Sequence, residues 1–65
     1  MLTIDRIRGR LVEIEFEKVE PFGWVAVGVV REGPSHEKGM LFEVKASDPL
    51  EAETKLRAEI EAFFA

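Results

Sequence analysis

Apolar and polar positions along this chain follow two periods, first two residues and then 3.6. In residues 11–19, Val12, Ile14 and Phe16 alternate with Glu13, Glu15 and Glu17, which predicts a strand with one buried face. Residues 24–31 are apolar on both faces. Val25, Val27 and Val29 lie on one side, and Trp24, Ala26, Gly28 and Val30 on the other. Such a strand is usually covered on both sides. In residues 40–46, Met40, Phe42, Val44 and Ala46 alternate with Leu41, Glu43 and Lys45. Polar, turn-forming stretches at 20–23 and 32–39 separate these strands. Gly28 marks either a bulge or a close backbone approach.

From residue 47 the period changes. Ala52, Leu56, Ile60 and Phe63 recur as one helical face, with Phe64 widening the stripe. Asp48 is the expected N-cap, with Pro49 at the first helical position, where its missing N–H is harmless. Glu51 stands where a side chain can reach back to the cap's own N–H. Glu51 with Lys55, and Glu53 with Arg57, have the favoured i, i+4 order. Residues 1–10 are ambiguous: Leu2, Ile4 and Ile7 fit a ragged strand or a single helical turn, and Gly9 marks a bulge or bend. The expectation is an α+β fold, β-β-β-α, in one domain spanning residues 1–65. It has a three-stranded antiparallel sheet, four-stranded if the first ten residues join it, with the C-terminal helix packed on one face.

One helix covers one face, so the strand at 24–31 turns a row of apolar side chains outward whichever face the helix takes. A 65-residue chain without cysteine buries only about 60% of its unfolded surface and gains from an added interface. A homodimer or higher oligomer, joined through the sheet face or edge that the helix leaves open, is therefore expected, with Trp24, Val30 and Phe22 as interface candidates. In the competing account, Leu2, Ile4 and Ile7 fold back over the open face.

The net charge of −4 argues against nucleic acid, because an acidic surface repels phosphates unless its cations cluster. The one cluster is Arg6, Arg8 and Arg10, which an extended chain places on one side. With Lys38 it forms the alternative, nucleic-acid-binding reading. Glu13, Glu15 and Glu17 read as a charged solvent face, and the single histidine, His36, as an exposed loop residue. No nucleophile–base pair, thiolate, metal-ligand set or glycine-rich phosphate loop stands out, so no enzyme activity, metal or cofactor is expected. The chain has no Asn, Gln or Cys and is 34% charged, a composition that suits a thermophile. It has neither a membrane-length apolar run nor a leader pattern, so a soluble, cytoplasmic protein is expected.

Two short motifs add a resemblance. Gly23-Trp24-Val25-Ala26 and Asp48-Pro49-Leu50-Glu51-Ala52 resemble the aromatic-led strand and the helix entry of HicB-type antitoxin small domains and their stand-alone relatives. The resemblance covers roughly residues 11–64. It implies this fold and a protein-binding or dimerising role without catalysis. The connection at 32–39 is longer and more charged than is usual in that family, and the resemblance does not carry over the C-terminal DNA-binding domain of full antitoxins. Gly33-Pro34-Ser35-His36-Glu37-Lys38 is similar to a loop of double-stranded-RNA-binding domains. The lysines that open the final helix of that family are replaced here by Asp48, Glu51 and Glu53.

Overall fold

The computed structural model describes residues 2–21 and 23–65. These form strands β1 (Leu2–Ile7), β2 (Arg10–Val19), β3 (Gly23–Glu32) and β4 (Leu41–Ala46), followed by helix α1 (Pro49–Phe63). A single turn of 3₁₀ helix, Ser35–Glu37, interrupts the β3–β4 connection. The strands form one antiparallel sheet in chain order β1-β2-β3-β4. The fold is therefore the expected α+β, in its four-stranded form.

The first ten residues are a hairpin arm. Arg8 and Gly9 both have positive φ, 51° and 82°, between the facing pair Ile7 and Arg10. This is the two-residue turn whose backbone twist matches the right-handed twist of antiparallel strands. Gly9 thus belongs to a tight turn, and the bulge falls next to it, between Leu11 and Val12. The N-terminal segment does not fold back over the open face. It extends the sheet, and of its described apolar residues only Ile7 enters the core.

Register decides which face the helix takes. Val12, Ile14 and Phe16 stand opposite Val30, Gly28 and Ala26, and Phe42, Val44 and Ala46 stand opposite Gly28, Ala26 and Trp24. These residues face α1. Ala52, Leu56 and Ile60 from the helix are fully buried against Val12, Ile14, Ala26 and Val30. Gly28 permits that contact: a Cβ there would lie 3.2 Å from Ile60 Cδ1 and 3.3 Å from Val12 Cγ1. It marks a close approach, of helix to sheet.

Gly23 is required at the β2–β3 turn. Its φ is 123°, and a Cβ would come within 2.6 Å of the Ala46 carbonyl. The helical stripe ends one residue differently from the simple periodicity. Phe63 is exposed, and Phe64, the C-cap, packs against the core. Phe42, Phe63 and Phe64 stack edge to face, with centroids 5.1–5.8 Å apart.

Candidate interaction surface

The polar side chains closest to the core tie elements together. Arg10 donates from Nε and Nη2 to both oxygens of Glu37, at 2.7 and 2.9 Å, and from Nη1 to the Arg8 carbonyl. Its guanidinium also lies 4.1 Å from the centroid of the Phe64 ring. This one residue joins the first hairpin, the β3–β4 connection and the end of α1. The bidentate bonds from Arg10 hold the Glu37 carboxyl below its ordinary pKa. At the other side of the helix, Arg57 bonds Asp5 of β1 and Glu53 one turn back. The hydrogen bond from Arg57, then the Arg6 N–H, hold Asp5 below its ordinary pKa. Among the described residues, no group of three or more His, Asp or Glu side chains is placed to hold a metal.

Three surfaces remain. The first is the sheet face away from α1. Val25, Val27 and Val29 run down its middle, half-buried. Across the register they meet Glu17, Glu15 and Glu13 on one side and Lys45, Glu43 and Leu41 on the other. Arg31 bonds Glu13 across this face at 2.7 Å. Long charged side chains have apolar stems that shield such a column.

The second surface is the β4 edge with an open groove of about 500 Å³ between β4 and the end of α1, lined by Met40, Leu41, Phe42, Glu59, Ala62 and Phe63. Leu41 and Phe63 are 67% and 60% exposed. Val30 N donates to Met40 O, and Gly39 N to Val30 O. Even-numbered β4 residues therefore bond β3, and the odd-numbered ones turn their backbone groups outward. The Lys45 carbonyl accordingly accepts from Lys55 Nζ at 3.2 Å.

The third surface is the β1 edge. Ile7 and Arg10 close the two-residue turn, so Thr3, Asp5 and Ile7 bond β2, while Leu2, Ile4 and Arg6 turn their backbone groups outward. The Arg6 N–H meets its neighbour's carboxylate instead of the ladder, donating to Asp5 Oδ1 at 2.8 Å. Leu2 and Ile4 are 53% and 60% exposed. Thr3 Oγ1 is buried, and among the described residues it is the buried side-chain polar atom without a hydrogen-bond partner.

The residues singled out from the sequence are distributed differently from expectation. Val30 is fully buried beneath the helix, and Trp24 packs on the same core. Neither lines an outward interface, because the register turns the valines, not the Trp24 side, away from α1. Phe22 lies outside the described residues. Arg6, Arg8 and Arg10 do not share a side: Arg6 is on β1, Arg8 in the turn, and Arg10 on β2, held by Glu37. Lys38 and His36 are exposed in the β3–β4 connection. The β1 edge was missed because Leu2 and Ile4 belong to a strand that the apolar pattern leaves ambiguous. No family model, curated protein or solved structure matches this chain.

Proposed function

We propose that this protein is a small, non-catalytic interaction module that works as a homodimer. The observation that carries this reading is the distribution of exposed apolar side chains. Leu2 and Ile4 on β1, and Leu41 and Phe63 beside β4, stand exposed along the two open edges of the sheet. Open edges with apolar side chains are templates for pairing with another chain. The interior charged groups support the non-catalytic part: Arg10 and Glu37, and Arg57, Asp5 and Glu53, are engaged in ties between elements. The resemblance to HicB-like small domains points the same way, as does the small core of a 65-residue chain. The lack of Asn, Gln and Cys supports a thermophilic source. No described helix is long and apolar enough to cross a membrane.

Sedimentation equilibrium from micromolar to millimolar concentration tests the reading. The expected outcome is a mass that rises toward twice the 7.4 kDa of one chain. A species of one chain mass throughout refutes it.

A further inference from the structure

We infer that the dimer forms through the β1 edge, two copies pairing antiparallel about Ile4 into one continuous sheet. The inference rests on the homodimer reading above and names the surface that serves it.

Two edges are open, and they differ. Along β4 the outward backbone belongs to Leu41, Glu43 and Lys45, and Lys55 already reaches the Lys45 carbonyl. Charged side chains, lysine above all, are how proteins guard an edge against pairing. Along β1 the outward backbone belongs to Leu2, Ile4 and Arg6, with no lysine, proline or bulge in the strand. Two of its three outward residues are exposed aliphatics.

The register follows from chemistry. Antiparallel pairing requires outward residues to face outward residues, so the two-fold axis passes through a single residue position. An axis at Asp5 sets two carboxylates against each other, which is unfavourable. An axis at Thr3 pairs only residues 2–4. An axis at Ile4 pairs residues 2–6: Ile4 meets Ile4 of the second copy, and Leu2 meets Arg6, whose stem can lie along the leucine.

The same axis sets Thr3 opposite Asp5 of the second copy, in the closer, non-hydrogen-bonded kind of pair, with Cα atoms about 4.5 Å apart. Thr3 carries the buried hydroxyl that lacks a partner, and a buried unpaired polar atom calls for an explanation. Pairing exchanges two bonds. The Arg6 N–H leaves Asp5 Oδ1 for the Leu2 carbonyl of the second copy, and Asp5 Oδ1 accepts the threonine hydroxyl from that copy instead, once Thr3 turns its Oγ1 from the chain's own interior toward the edge. Arg57 keeps its bond to Asp5 Oδ2. The interface is a strand edge and not a broad face, so association is expected to be reversible and concentration-dependent.

Ile4 side chains point to the free face, so Ile4→Lys leaves the core intact and sets two ammonium groups across the axis. In sedimentation equilibrium it should weaken self-association about tenfold or more, with an unchanged circular dichroism spectrum. Glu43→Lys, which disrupts charge on the β4 edge, should leave association unchanged. Thr3→Val separates the accounts by sign. It should weaken association about two- to tenfold, whereas relief of an orphan hydroxyl in a lone chain only stabilises. The chain has no cysteine, so Ile4→Cys offers one site. Cα atoms about 5.5 Å apart at the axis fall within the disulfide range of about 4.4–6.8 Å, and oxidation should yield a covalent dimer faster than it does for Leu41→Cys. A wild-type dimer that survives Ile4→Lys but not Glu43→Lys overturns the β1 assignment alone. A wild type that stays at one chain mass overturns the dimer itself.

Discussion

Asp48 does two jobs that are separable at the level of single atoms. Its Oδ1 accepts the Glu51 N–H at 2.8 Å, capping the first turn. Its extended backbone, φ −146°, is the conformation that Pro49 imposes on the residue before it. The Glu51 carboxylate completes the cap on the residue upstream, accepting from Ser47 N and Oγ at 2.9 Å. Those two bonds hold Glu51 below its ordinary pKa. Asp48→Ala should cost about 0.5–2 kcal/mol, measured as a lower urea midpoint at constant m. Arg8 is the opposite case, a side chain in a conformation that suits it poorly. At φ 51° beside Gly9 it occupies the place that asparagine fills in such turns. Arg8→Asn should raise stability by up to about 1 kcal/mol, read from the same midpoint. An unchanged or lower midpoint would count against this account of the turn.

At the scale of elements, charge decides how firmly the parts hold to one another. Arg10 and Glu37 lock the β3–β4 connection onto the first hairpin, and Arg57 with Asp5 locks α1 onto β1. Asp5, Glu37 and Glu51 all have lowered pKa values in the fold. A carboxyl of lower pKa in the folded than in the unfolded chain stabilises fully above its unfolded value. That contribution disappears as pH falls through the folded value. Stability should therefore be flat near neutrality and fall as pH drops below about 4. Glu37→Gln should lower the midpoint at pH 7 and flatten the acid slope. An identical slope would show that the pair is not what titrates.

The two locks were not legible in the sequence, because Arg10 and Glu37 lie 27 residues apart with no pattern connecting them. Strand β2, the capped helix and the order of elements were legible, since each rests on local spacing. Strand β1 was not. An edge strand that turns Leu2 and Ile4 outward and Ile7 inward breaks the parity that identifies a strand. The face that α1 covers was hidden for a related reason. Both faces of β3 are apolar, and the choice depends on the β2–β3 turn, whose register runs unbroken from Val19 opposite Gly23 to Ile14 opposite Gly28.

For the whole molecule, the consequence is a sheet whose two faces carry very different shares of stability. Leu56 is fully buried, and Leu56→Ala should cost about 2–5 kcal/mol. A chain of this size has about 3–10 kcal/mol in all, so that variant should be partly or wholly unfolded at 25 °C. Val27→Ala on the opposite face should be much milder, because the valine is only half-buried and its removal leaves no enclosed cavity. The proposed self-association would add a term that depends on concentration. A partner that binds the folded chain and not the unfolded one raises the melting temperature by mass action. Wild-type Tm should accordingly climb as protein concentration rises from micromolar to millimolar. Val27→Ala should lower the whole curve a little and keep its slope, since its side chain lies away from the β1 edge. Ile4→Lys should flatten the slope and leave the low-concentration Tm near the wild-type value. Equal slopes for wild type and Ile4→Lys would mean that the stabilising contact between copies lies elsewhere on the sheet, and the Val27 variant would then show whether the open face supplies it.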